Sequence, residues 1–209
     1  MTQKILVVDD EAEIVRLVRA YLERAGFAVV TATDVRPAAK EEIESLGAKF
    51  VGFIPKDAAM AGGYARPLTP EEQAEQAKIV AEHIKSQDIV VTTAQVPGRK
   101  APRIVGAAMV ESMRPGSVIL DMAAETGGNV EGSRPGEAVE VAGVLLIGAR
   151  NLPARLAPAS SALYAKNLMN FIRLIVAKDG TLAINTEDEL VKGTLLTRDG
   201  QVVHPGFTS

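Results

Sequence analysis

Short apolar runs alternate with amphipathic stretches along this chain, and the alternation predicts its elements. Ile5 to Val8 is apolar throughout, as a strand buried on both faces of a sheet should be. From Glu11 onward, Ile14, Val18, Tyr21, Leu22 and Ala25 recur at helical spacing, and Gly26 supplies a stop. Phe27 to Thr31 predicts a second strand, Pro37 to Leu46 a second helix closed by Gly47, and Lys49 to Phe53 a third strand. Residues 56 to 69 hold Gly62, Gly63 and Pro67 and predict a long mobile loop. That loop ends in Thr69, Pro70, Glu71 and Glu72, which give a helix cap, a first-turn proline and an acidic first turn. The next helix reaches about Ser86, with Ala77, Val80, Ala81 and Ile84 on its apolar face and His83 on the solvated side.

Asp88 to Thr92 predicts a fourth strand, Val105 to Ser112 a short helix and Val118 to Asp121 a fifth strand. Ala138 to Ile147 reads as a hairpin or sixth strand turning at Gly143. Residues 158 to 177 form the longest predicted helix, and Tyr164, Leu168, Phe171, Ile172, Ile175 and Val176 make a stripe that requires a partner surface. The tail after Asp179 is polar and irregular, with turns at its two Asp-Gly pairs. Strands separated by helices imply an α/β protein: a doubly wound parallel sheet with helices on both faces.

The 209 residues make one to one and a half domains at about 150 residues each, and 47% apolar residues supply a core. A net charge of −3 gives no reason to expect a nucleic-acid partner. Zero cysteines exclude disulfides and thiolate sites, and His83 and His204 are the sole imidazoles, neither expected to be catalytic. No apolar run approaches the ~18 residues that span a bilayer, so we expect a soluble, cytoplasmic chain with no membrane contact of its own.

Residues 1 to about 32, KILVVDDEAEIVRLVRAYLERAGFAVVTA at their heart, resemble the opening β-α-β of a response-regulator receiver, a flavodoxin-like fold. The resemblance makes Asp9 and Asp10 candidate Mg²⁺ ligands, although an acidic pair at a helix N-terminus has an equally good capping role. From about residue 31 the text changes. TATDVRPAAKEEIESLGAKFV, GGYARPLT, VTTAQVPGRKAPR, SVILDMAAETGGNVEG and RNLPARLAPASSALYAKNLMNF resemble the NAD-binding part of domain I of the proton-translocating NAD(P) transhydrogenase alpha subunit, a relative of alanine dehydrogenase. A seam inside a strand is an unusual natural junction. We therefore read an engineered chimera of a receiver-derived unit (1–32), the remainder of a Rossmann-like domain (33–157), and a long helix with its tail (158–209), in strand order 3-2-1-4-5-6.

The transhydrogenase resemblance implies an NAD(H) site. Asp34, after the second strand, matches the acidic residue that accepts hydrogen bonds from the adenosine ribose, and it also reads as a helix cap. Val35 and Arg36 adjoin it in matching text. Thr92, Thr93, Ala94 and Gln95 end the fourth strand, where the resemblance assigns a dinucleotide loop; on their own they read as a turn cap. Asp121, Glu125, Gly127, Gly128 and Asn129 match the nicotinamide side, although GGN alone is only a turn. Tyr64 matches the family's mobile loop. Arg150, Asn151 and Arg155 match family text and read equally as a charged loop.

The glycine-rich turn that binds pyrophosphate after the first strand is missing: VVDDEAE stands there, and GxGxxG occurs nowhere. Phosphorelay chemistry is also incomplete, because KFVGFIPKD lacks the receiver's strand-ending aspartate and ILDMAAE its lysine. The reading is thus a chimeric scaffold with weak or lost NAD(H) binding, no catalytic residue and no enzyme activity by itself. The alternatives are the NAD(H)-binding component of a transhydrogenase, which passes hydride to NADP⁺ on a partner domain, and a Mg²⁺-binding signalling module. A homodimer through the long helix is expected.

Overall fold

The computed structural model describes residues 4–8, 24, 26, 28–34, 37–45, 47–54, 68–96, 98–204 and 206–207. Most of the predicted first helix, Asp9, Asp10, Val35, Arg36, Tyr64 and most of the 56–69 loop lie outside them. The chain divides into two compact units, Met1–Arg150 and Asn151–Ser209. The strands Lys4–Val8 and Ala28–Thr33 belong to the same sheet as the later ones, and a short helix at Leu152–Arg155 lies in the second unit with the long one.

The first unit is built on a seven-stranded sheet of order β3-β2-β1-β4-β5-β7-β6. Its strands are β1 (Lys4–Val8), β2 (Ala28–Thr33), β3 (Lys49–Phe50), β4 (Ile89–Thr92), β5 (Val118–Asp121), β6 (Ala138–Val141) and β7 (Val144–Gly148). All neighbours are parallel except the β6–β7 pair. β3 lies beside β2, as in Rossmann sheets, and not beside β1, as in flavodoxin-like ones. The sixth position is taken by β7 because residues 138–148 form a hairpin, turned at Ala142 (φ 50°) and Gly143 (φ 79°) in the primed geometry that suits twisted strands.

Helices α1 (Pro37–Ser45), α2 (Pro70–Ile84) and α3 (Ala107–Glu111) connect the parallel strands. The α2 start is as the sequence predicts: Thr69 Oγ1 accepts from Glu72 N–H while Glu72 Oε2 accepts from Thr69 N–H, a reciprocal capping box ahead of Pro70. Its buried face is rotated from the expected one. Val80 and Ile84 are buried, but Ala77 is exposed, and Gln76, His83 and Gln87 turn inward instead. His83 is therefore half-buried, not solvated: its Nε2 lies 2.8 Å from Thr31 Oγ1 on β2 and 3.1 Å from Gln87 Nε2.

Val90, Ile119 and Leu146 stand in register across β4, β5 and β7 and are buried to within 1%. Ile84, Val110, Met113, Val105, Val130 and Val144 close over this row as one core cluster. Fully burying each such side chain contributes roughly 1.5–3 kcal/mol, which is what fixes the register.

The second unit carries α4 (Leu152–Arg155), α5 (Ala157–Ile175), α6 (Glu189–Thr194) and a hairpin of β8 (Thr197–Arg198) and β9 (Gln201–Val202) turned at Asp199 and Gly200. The tail is thus more ordered than its polarity suggests. Asp188 caps α6 through Leu190 and Val191 N–H, and the Thr181 hydroxyl, with its N–H, holds the Asp179 carboxyl below its ordinary pKa. Val191 is the one buried apolar residue among the described residues of this unit, and α5 buries none.

Candidate functional site

The carboxyl ends of the parallel strands lie along one row. Register pairs Thr33 with Val8, Val8 with Thr92, Thr92 with Asp121, and Asp121 with Gly148. The residues next along the chain from these strand ends are Asp34, Asp9, Thr93, Met122 and Ala149. β1 is the pivot of the strand order, with β2 and β3 on one side and β4, β5 and β7 on the other. Ligands of open α/β sheets bind in the crevice at such a switch point, outside the carboxyl ends.

Asp34 is 6% exposed and continues directly from β2. Thr92, Asp121 and Asn129 are buried to within 1%, and Gly128 is buried with them. Their polar groups act largely inside the fold. Asp121 Oδ1 accepts from the Thr92 hydroxyl (3.4 Å) and from Ala123 N–H (3.0 Å), while Oδ2 accepts from Val130 N–H (3.2 Å). One carboxylate thereby ties β4 to both ends of the loop that carries Glu125, Gly127, Gly128 and Asn129. A Cβ at Gly128 would stand 2.8 Å from Asp121 Oδ2, so this loop closes only around glycine.

Asn129 Nδ2 donates to Ala94 O (2.9 Å) and Pro102 O (2.8 Å), which fastens the loop after β4 to the loop after β5. Arg103 does the same from outside, donating to the carbonyls of Val130 and Gly127. Thr93 and Ala94 are half-buried, and Gln95, Glu125 and Gly127 are exposed, with Gln95 Nε2 donating to Met122 O at 3.3 Å. The structure thus assembles the residues after β4 and β5 into one cross-braced rim, in which Asp121 and Asn129 hold the loops and their neighbours present the outer surface. Among the described residues there is no group of three acidic or histidine side chains able to hold a metal.

Sequence reasoning missed Gln76, Arg103 and Gly148. Gln76 had a signal: it shares the four-residue spacing of Val80 and Ile84, so a polar residue lay on a buried stripe. Arg103 and Gly148 act on backbone groups far along the chain, which no local pattern announces.

A parallel, switch-pointed sheet with a carboxylate after its second strand and braced loops after its fourth and fifth defines a Rossmann-like α/β domain. The family model described as "Alanine dehydrogenase/PNT, C-terminal domain" matches residues 22–205, and the chain belongs to that family. It is 48% identical over 193 residues to the first part of the NAD(P) transhydrogenase alpha subunit of Rhodospirillum rubrum, a match covering 90% of this chain and 50% of that protein. The Rickettsia prowazekii counterpart is 47% identical over 186 residues, covering 88% and 48%. Among solved structures, the transhydrogenase from Sinorhizobium meliloti superposes with a TM-score of 0.73 at 48% identity over 96% of this chain and 52% of that one. An L-alanine dehydrogenase superposes with a TM-score of 0.67 at 25% identity, over 98% and 51%. The chain spans about half the length of these relatives. The receiver resemblance of residues 1–32 gains no support from them, whereas the transhydrogenase resemblance does.

Proposed function

We propose that this chain is the NAD(H)-binding half of a transhydrogenase alpha-type subunit, with nucleotide affinity weakened by the acidic residues that follow the first strand in the sequence. The observation that carries the reading is the row of strand ends at the switch point, with Asp34 next to it on a chain 48% identical to a transhydrogenase subunit. Asp34 stands where a Rossmann carboxylate accepts from the ribose hydroxyls, and the braced loops with Thr93, Ala94, Gln95 and Glu125 form the rim toward the nicotinamide. These residues fit a dinucleotide; the sequence Asp9-Asp10-Glu11, where the pyrophosphate would meet β1, does not.

When bound, the nicotinamide supplies the hydride. The chain's residues orient it, and the acceptor NADP⁺ belongs on a partner domain, so no turnover is expected from this chain alone. The receiver-like opening remains part of the proposal: residues 1–32 replace one β-α-β unit by another that fits the same sheet position. Signalling by phosphotransfer is disfavoured by Val51 and Gly52 after β3, where an acceptor aspartate is required.

Fluorescence titration with NADH, convenient because the chain has no tryptophan, tests the reading. Saturation in the micromolar to low-millimolar range is the expected result. A Mg²⁺-dependent gain would implicate Asp9 and Asp10 bridged to phosphates, and no signal at millimolar NADH would sink the proposal.

The exposed stripe of α5, with Tyr164 at 66%, Leu168 at 46% and Ile172 at 47%, favours association of two copies. Light scattering at high concentration should give about twice the 22.1 kDa chain mass, and a monomeric mass there would refute the dimer.

A further inference from the structure

The pairing of β2 with β3 stops early. Only Thr31 with Lys49 and Ala32 with Phe50 are in register, and one more backbone bond runs from Val51 N–H to Ala32 O. Thr33, the last residue of β2 and 3% exposed, is met on that side by a side chain. Gln76 Nε2–H donates to Thr33 Oγ1 at 2.9 Å, and Phe53 N–H donates to Gln76 Oε1 at 2.6 Å. A backbone N–H can only donate, so the amide orientation is fixed and the Thr33 hydroxyl is an acceptor from Gln76. The amide of Gln76 therefore bridges β2 to the chain after β3 as a further peptide unit of the ladder would. Gly52 leaves room for it: a Cβ there would lie 2.9 Å from Thr33 Oγ1 and 3.2 Å from either polar atom of the Gln76 amide.

We propose that Gln76 is a positioning residue for nucleotide binding: through Thr33 it fixes the end of β2, and with it the adjoining Asp34 carboxylate, against the adenosine ribose. This rests on the reading of Asp34 as the ribose carboxylate. Nothing in Gln76 needs to touch the nucleotide. Its amide replaces a missing stretch of strand at the residue just before the functional carboxylate, so loosening it widens the range of positions Asp34 samples without removing any core contact.

A double-mutant cycle of Gln76→Leu and Asp34→Asn, read by NADH titration, tests this. Gln76→Leu should weaken NADH about three- to tenfold, the worth of one hydrogen bond, and by less than about twofold once Asp34 is already Asn. Hydrogen–deuterium exchange without nucleotide should quicken at residues 33 and 34 and stay unchanged at 118–121. Equal losses in both backgrounds, or unchanged exchange at 33 and 34, would overturn the proposal. Failure of the underlying reading looks different: wild-type chain that binds NADH while Asp34→Asn binds equally well removes the ribose assignment. Wild-type chain that never binds NADH removes the proposed function and this role with it.

Discussion

Replacing Asp9 and Asp10 by Asn is expected to tighten NADH binding about thirtyfold or more. Both residues lie outside the described part of the structure, but Val8, the residue before them, ends β1 between Thr33 and Thr92 at the switch point. In Rossmann domains a dinucleotide's pyrophosphate is held by backbone N–H groups just after the strand in this position, and Asp9 and Asp10 are the residues that follow it in this sequence. Two unit charges of like sign 4 Å apart repel by about 4 kcal/mol at an effective dielectric of about 20. Screening and side-chain rearrangement leave about half, and about 2 kcal/mol is a factor of about thirty in Kd. The repulsion also predicts an unusual salt dependence: the unmodified chain should bind NADH more tightly as ionic strength rises, whereas the Asn pair should lose that response. Equal Kd values for the two proteins at low salt would refute the account.

Much of the fold is legible in the sequence because its signals are local. The Thr69-Pro70-Glu72 start of α2, the β5 strand Val118–Asp121 and the Ala142-Gly143 turn each state their structure within a few residues. Where the structure departs from the local pattern, the deciding interaction is distant. The third strand ends at Phe50, not Phe53, because Gln76 from α2 captures the Phe53 N–H that a longer ladder would have used. The α2 face is turned toward Gln76 and His83 because Thr33 and Thr31 on β2 offer them partners. An alanine-rich face has less apolar surface to bury than two polar groups can recover through hydrogen bonds. For the candidate site, the family resemblance pointed to Asp34 and to the loops after β4 and β5, which the structure sets at neighbouring strand ends. It could not tell that Asp121 spends both carboxylate oxygens on Thr92, Ala123 and Val130, since two of those partners are backbone N–H groups. Sequence names the residue that stands at a strand end; the hydrogen-bond geometry decides whether it faces a ligand or holds a loop.

Gly148→Ala should destabilise the first unit by about 3 kcal/mol or more, beyond what most single substitutions do. Gly148 closes the row of strand ends beside Asp121, and the turn before β6 lies directly on its Cα. Gly136 N–H donates to Gly148 O at 2.8 Å and Gly148 N–H to Glu137 O at 3.0 Å, so the two backbones are in ladder contact. A Cβ at 148 would stand 2.0 Å from Arg134 O and 2.6 Å from Arg134 C. Those atoms are main chain and cannot swing aside as a side chain would, so either the 134–137 turn or the end of β7 must move. Movement of β7 strains the bond from Ala149 N–H to Asp121 O (2.8 Å) and hence the base of the rim loops. At roughly 2–4 °C per kcal/mol for a domain of this size, the melting temperature should fall by about 6–12 °C. Gly193→Ala is the matched control: nothing lies within 4 Å of its Cβ, it sits in α6, and alanine there should hold or raise stability. A Gly148→Ala protein that melts within about 2 °C of the unmodified chain would show that the turn yields without cost, and the close approach would then have no part in holding the strand ends in line.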